Sequence, residues 1–265
     1  MSKRIDLRVI ATRYPHTKMP YSIYDATVYP LGAGAWARKW ARLRLWWDTL
    51  RLIEKLHTQR PFDVLHAMWA DETGLLATWA GKRLNIPVVV SIAGGELVGF
   101  EDINYGLQRS RFSRWTVRQA LEGASTVIVA CDYVHDLLEY HALDIIPEKI
   151  HKISLGVDTN LFTPSPTTAH AKHLIHVASL IGVKDQITLL RAFAKLDDDT
   201  TLTIIGEGKD QPILERLTRT LGIMPRVTFV GSVPHLALPS YYQRAQINLL
   251  TSRHEGLGMV TLEAG

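Results

Sequence analysis

Short apolar runs alternate with longer amphipathic ones along almost the whole of this chain, and that alternation constrains its fold more than any other feature. The runs IDLRVIAT, ATVYPL, DVLHAM, VVVSIA, TVIVAC and HKISLG in the first part, then LIHVAS, TLTIIG, VTFVG and INLLT, have strand length and are rich in Val, Ile and Leu. Helical periodicity fills the intervals: Ala35 to Gln59, Glu72 to Leu84, Gln108 to Glu122, Val134 to Tyr140, Ile187 to Leu196, Gln211 to Leu221 and Leu236 to Arg244. Strands that are apolar on both sides need cover on both sides, and parallel sheets wound with crossover helices provide it. The predicted class is α/β with doubly wound parallel sheets.

The alternation pauses once, at Thr163-Pro164-Ser165-Pro166-Thr167-Thr168, where two prolines in a Ser/Thr-rich stretch disfavour helix and deny a sheet two donors. This predicted linker divides residues 1–163 from residues 164–265, each with its own strands, and makes the architecture two Rossmann-like domains. A chain of 265 residues, 46% hydrophobic, is long enough for two modest cores. Ligands of open α/β sheets bind beyond the carboxyl ends of the strands, so two facing domains predict a cleft lined by both sets of loops.

Charge and cysteine content narrow the partners. Lys and Arg outnumber Asp and Glu by 30 to 26, a net +4 that suits anionic small substrates or lipid headgroups and does not call for nucleic acid. One cysteine excludes an intrachain disulfide and fits a reducing compartment. Cys131, ending TVIVAC, and His66, inside DVLHAM, read as packed strand residues. His170, His173 and His176 straddle linker and strand without metal-site spacing, so no metal is expected. The GEGKD turn lacks the third glycine of a dinucleotide fingerprint. The most apolar region, NIPVVVSIAGGELVGF, is broken by Pro87, two glycines and Glu96 and cannot span a bilayer. The expected location is the cytoplasm, with a peripheral place on the inner membrane surface as a variant. That variant comes from AWARKWARLRLWWDTLRLIEKL, whose four tryptophans among Arg and Lys fit an interfacial helix and equally a domain helix with an aromatic core face.

The closing stretch, Ser252 to Gly265 (SRHEGLGMVTLEAG), carries the densest chemistry. On one continuous helix Glu255 and Glu263 would be separated by roughly 12 Å of rise, too far to grip one small group. Gly256 and Gly258 supply a break, leaving Glu255 on a loop after INLLT while a helix beginning near Gly258 carries Glu263. Free amides of that helix's first turn beside two carboxylates suit a ligand with a phosphate on one side and sugar hydroxyls on the other, a nucleotide sugar.

These residues resemble the E-x7-E signature of the retaining GT-B glycosyltransferases of family 4, the glycosyl transferases group 1. The likeness runs backward in order through TLTIIGEGKDQPILERLTRTLGIMPRVTFVGSV, LIHVASLIGVKDQITLLRAFAKL and the interdomain KISLGVDTNLFTP, and more loosely through FDVLHAMWADETGLLATWAGKRLNIPVVVSIAGGEL and ASTVIVACDYV. It implies that Lys184 holds the donor diphosphate, that Glu263 accepts hydrogen bonds from the donor ribose, and that Glu255 lies near the transferred sugar. It also implies that Gly256, Leu257 and Gly258 line sugar and phosphate, and that charge on the departing diphosphate is met by Lys184 and a helix start in place of a metal. Gly94, Gly95 and Glu96 fall on the acceptor side. Two positions depart from the pattern: Ser179 stands where the family usually has arginine, with Arg253 as a candidate compensating charge, and Ala93 stands where it usually has histidine. The resemblance also makes the sequence look truncated at both ends, with both domains incomplete.

The function expected is transfer of a hexose-type sugar from a nucleoside diphosphate to a hydroxyl acceptor, sugar or lipid-linked, with retention, in synthesis of an envelope polysaccharide or other glycoconjugate. Weak or no turnover is expected of these 265 residues alone. The alternative is an inactive fragment that binds only nucleotide or a partner; an epimerase or phosphorylase of the same architecture ranks third.

Overall fold

The structure, a computed structural model, describes residues 5–12, 19–32, 39–141, 143, 145–164 and 172–265. Ser165 to Thr168 of the predicted linker, His170 and Trp36 lie outside them. The class is α/β with parallel sheets, and the chain divides into two compact units, each described by itself. One comprises residues 1–92, 110–129 and 138–151; the other comprises residues 93–109, 130–137 and 152–265.

The first unit opens with β1 (Arg8–Ala11), β2 (Tyr21–Ile23) and β3 (Ala26–Pro30), a small sheet in the order β1-β3-β2. The sequence reading expects only parallel strands here and passes over β2, which pairs antiparallel with β3. Tyr24 and Asp25 close that hairpin at φ 44° and 66°, both left-handed as a two-residue turn between twisted strands requires. A tyrosine in such a turn carries no sequence signal.

Helix α1 (Lys39–Gln59) leads to β4 (Leu65–Met68), α2 (Glu72–Leu84) and β5 (Val88–Ser91). The predicted helix from Gln108 is interrupted: a single 3-10 turn, Leu107–Arg109, precedes Ser110, whose hydroxyl caps α3 (Arg111–Glu122) by accepting from the Ser113 amide. Then follow β6 (Thr126–Val129), α4 (Asp132–Tyr140), of which residues 132–137 belong to the second unit, and β7 (Ile150–Lys152), and the sheet order is β4-β5-β6-β7. Helix α2 begins and ends where periodicity places it because Asp71 accepts from the Thr73 amide at 2.7 Å and Asn85, at φ 56°, closes its C-terminus. Its core face, with Leu75, Leu76, Ala77 and Ala80, is buried together with Val117, Ala120 and Leu121 of α3.

In the second unit β8 (His173–Val177), α5 (Gln186–Phe193), β9 (Thr201–Ile205), α6 (Gln211–Thr220), β10 (Val227–Gly231), α7 (Leu238–Tyr242), β11 (Ile247–Asn248) and α8 (Met259–Ala264) follow in turn. The strands pair in the order β10-β9-β8-β11, all parallel. Successive residues supply opposite faces: Leu174, Leu202 and Ile204 pack with Leu189, Leu190, Phe193 and Leu214, whereas Ile175, Val177 and Ile205 pack with Leu238 and Tyr242. This two-sided burial is why the strands read as unbroken apolar runs.

Candidate functional site

The residues marked in the sequence all fall within the second unit. After β8 the chain enters a 3-10 turn, Gly182–Lys184, and Asp185, left-handed at φ 46°, redirects it into α5 while its carboxylate accepts from the amide and hydroxyl of Thr188 at 3.3 and 2.7 Å. Lys184 therefore stands at a fixed corner. Its Nζ lies 2.5 Å from Glu255 Oε1, and the hydroxyl of Ser252 donates to the same oxygen at 2.6 Å. The two loops are also joined through their backbones. Thr251 Oγ1 donates to the carbonyls of Lys184 and Asp185 at 3.0 and 3.1 Å, and the Arg253 amide donates to the Val183 carbonyl at 2.8 Å.

Beneath this pair lies His176, fully buried. A carbonyl can only accept, so Nδ1–H donates to the Leu249 carbonyl at 2.8 Å, leaving Nε2 to accept from the Gln186 amide at 3.2 Å. Gln186 also donates to the Ser179 carbonyl at 3.0 Å. One imidazole thus ties the ends of β8 and β11 to the start of α5. Burial pulls its pKa below the ordinary histidine value.

Gly256 runs close against Ala93, whose carbonyl would lie 3.2 Å from a Cβ at Gly256, and Gly258, at φ 68°, turns the chain into α8 as the sequence predicts. Leu257 lies half-buried between these glycines. Cys131 does not end a buried strand: β6 stops at Val129, and the half-buried thiol donates to the Gly256 carbonyl at 2.9 Å. His66 is likewise exposed on β4, bonded to Ser91 at 2.8 Å. Both misreadings arise because an apolar run outlasts the strand or the cover above it.

Glu263, on α8, meets the imidazole of His235 at 3.0 Å and accepts from the Tyr242 hydroxyl at 3.2 Å. Burial, and then the neighbouring carboxylate, push the Tyr242 phenol well above its ordinary pKa. The two glutamates thus share one loop-and-helix segment but keep separate partners, Glu255 with Lys184 and Ser252, Glu263 with His235 and Tyr242.

The Gly94-Gly95-Glu96 turn also belongs to this unit. Glu96 is 1% exposed and turns its carboxylate back onto the amides of Ala93 and Gly94 at 3.1 and 2.7 Å, bracing the turn. Gly95 lies under the Tyr105 ring, which a Cβ there would meet at 2.8 Å. The Gly94 carbonyl accepts from His254 Nε2 at 2.9 Å, and Tyr133 reaches His254 Nδ1 at 3.2 Å. Burial, then the charges of Glu96 and Glu255, raise the Tyr105 pKa. Arg253 is held by an ion pair to Asp102 and lies over the Phe100 ring at 4.7 Å. Sequence reasoning does not single out Tyr105, Tyr133, Ser252 or His254. His254 adjoins Glu255 in the closing segment, but Tyr105 sits in a loop and Tyr133 in the first turn of α4, neither with a motif signal.

A depression of about 680 Å³ lies elsewhere, within the first unit, between the ends of α2 and α3 and the start of β5, lined by Trp79, Lys82, Asn85, Gln119 and Glu122 among others. It opens at the amino end of β5, opposite to where ligands of such sheets bind, and contains none of the marked residues.

The glycosyl transferase 4-like domain family matches residues 2–171, and the glycosyl transferases group 1 family matches residues 159–265. Glycogen synthase of Mycobacterium tuberculosis is 37% identical over 224 residues, covering 80% of this chain and 52% of that protein. Sucrose-phosphate synthase from Thermosynechococcus elongatus superposes with a TM-score of 0.78 at 20% identity over 98% of this chain and 68% of that one. Anabaena Alr3699/HepE in complex with UDP-glucose superposes with a TM-score of 0.68 at 19% identity over 90% of this chain and 64% of that one. The chain spans about half the length of the curated relatives it matches. Its sheets have the GT-B layout, and the chain belongs to the glycosyl transferase 4-like, group 1 family of glycosyltransferases.

Proposed function

We propose that this chain binds a nucleoside-diphosphate sugar in its second unit and serves transfer of the sugar to a hydroxyl acceptor, a sugar or lipid-linked sugar, with retention at the anomeric carbon. The observation that carries the reading is the Lys184–Glu255 pair, formed across two loops at the carboxyl ends of adjacent parallel strands β8 and β11. A donor diphosphate would compete with Glu255 for the Lys184 ammonium, freeing the carboxylate to face the sugar. Glu263, with two acceptor oxygens in a nearly buried setting, would take the ribose hydroxyls. As the bond to the leaving diphosphate lengthens, Lys184 is the fixed positive charge that meets the growing negative one, so the step needs no metal in this reading. Support from relatives is of the same kind: Alr3699/HepE is a neighbour whose complex holds UDP-glucose.

The reading predicts different failures for the two partners of the pair. Glu255→Gln should bind a nucleoside diphosphate at least as well as the parent chain, because Lys184 no longer has a competing anion, while transfer falls by about 100-fold or more. Transfer assayed with UDP-, GDP- and ADP-hexoses and a hydroxyl acceptor, with product configuration read by NMR, tests the whole. A product of inverted configuration, or transfer undiminished in Glu255→Gln, overturns it. A second reading, binding without turnover, is favoured by one observation: Ser179 and Ala93 put neither a guanidinium nor an imidazole where the family usually has them. Tight donor binding with no release of nucleoside diphosphate would select it.

A further inference from the structure

The first unit carries a surface that the transfer reading does not use. Trp46 of α1 packs edge-on against Trp79 of α2, with ring centroids 5.6 Å apart, and stacks on Phe112 of α3 at 6.2 Å; Phe112 in turn meets Trp115 at 6.0 Å. The outer members of this aromatic chain face solvent, with Trp79 39%, Phe112 37% and Trp115 42% exposed. Arg42 lies over the Phe112 ring at 4.4 Å, and Arg111 and Arg114 flank Phe112 and Trp115 on the exposed side of α3. About 100° round α1 from Arg42 and Trp46, Leu43 and Trp47 are more than half exposed, with Arg51 over the Trp47 ring at 4.7 Å. Helices α1, α2 and α3 carry ten Lys and Arg against four Asp and Glu, a surplus of six that exceeds the +4 of the whole chain. The net positive charge therefore lies on three helices that also expose Trp47, Trp79 and Trp115, with Arg42, Arg44, Arg83 and Arg118 paired to Glu72, Asp48, Glu54 and Glu122 and the remaining bases unmatched in number by acids.

We infer that this face docks on an anionic bilayer surface, with Trp79, Phe112 and Trp115 at the level of the headgroups and the surrounding arginines on lipid phosphates. Tryptophan suits that boundary because its ring is apolar and its N–H polar, and guanidinium groups seek phosphate. Charge complementarity selects an anionic surface over a neutral one. Helix α1 lies along the surface in this arrangement: among the described residues no helix is long and apolar enough to cross a membrane. The inference does not depend on the proposed sugar transfer.

Vesicle co-sedimentation of the chain tests it without reference to activity. Binding to vesicles of phosphatidylcholine with about one-third phosphatidylglycerol is expected to exceed binding to pure phosphatidylcholine by tenfold or more, and to fall between 50 mM and 500 mM salt. Two variants separate docking from folding. R111E/R114E places acids in the first turn of α3, where the helix dipole favours them, so the fold should survive while vesicle binding drops at least tenfold. F112A/W115A should weaken binding and reduce quenching of tryptophan fluorescence by brominated lipid, whereas Y140A, at a tyrosine 82% exposed on α4, should change neither. Equal binding to neutral and anionic vesicles, no binding to either, or full binding by R111E/R114E overturns the inference. So does a dimer in sedimentation velocity that W115A alone dissolves, since the face would then belong to a second copy.

Discussion

Lys184 and Glu255 illustrate how one contact serves structure weakly and chemistry strongly. Their side chains are 23% and 27% exposed, so water screens the pair and its contribution to stability is small, under about 1 kcal/mol. Lys184→Ala is therefore predicted to leave the thermal midpoint almost unchanged while weakening nucleoside-diphosphate binding by at least about tenfold, as loss of a charge-assisted contact requires; calorimetry and titration on one sample check both halves. His176 behaves oppositely, being buried and structural. In an unfolded chain its imidazole titrates near 6.5, and burial holds it lower in the fold. The fold thus binds fewer protons than the unfolded chain as pH falls below 6.5, and stability is full above that value and declines on acidification toward the lowered one. Urea midpoints between pH 8 and pH 5 should show this decline, with a shallower slope in His176→Gln; identical slopes would remove His176 from the account. Residues of these two kinds differ in legibility. Lys184, Glu255 and Glu263 stand in spaced motifs, whereas the use of His176 and Tyr105 depends on contacts with residues far along the chain.

Among the elements, those whose signals are local agree with their sequence patterns. Helix α2 has both caps written into it, and β8 and β9 are apolar on two faces because two helical layers cover them. Elements decided by partners differ. Ser110 splits one predicted helix by capping α3, β2 exists because β3 pairs with it, and INLLT yields only the two residues of β11 because the chain leaves the ladder after Leu249, with Thr251 and Ser252 bonded to Lys184, Asp185 and Glu255. Glycines at element ends make a further test. Gly206, after β9, has φ 132° and a Cβ there would lie 2.0 Å from the Ala178 carbonyl, while Gly222, after α6, has φ 71° with nothing within 4 Å. Gly206→Ala should cost about 2–3 kcal/mol, through both clash and backbone strain, and Gly222→Ala only about 1 kcal/mol. Denaturant unfolding of the two variants measures the difference, and equal costs would contradict the close approach of the β9 and β8 loops.

At the scale of the whole molecule, the alternation of strand and helix made the α/β class legible, because parallel sheets covered on both sides leave that pattern in any sequence. The two units have separate candidate tasks: donor chemistry in the second, a basic aromatic surface in the first. The central claim is that Lys184 and Glu263 grip one nucleotide sugar in the second unit. Its most direct measurement is isothermal titration of the chain, and of Lys184→Ala and Glu263→Ala, with UDP-, GDP- and ADP-sugars. The account predicts saturable binding of at least one of these donors and at least tenfold weaker binding in each variant. No binding of any donor, or binding that both variants leave intact, would contradict it.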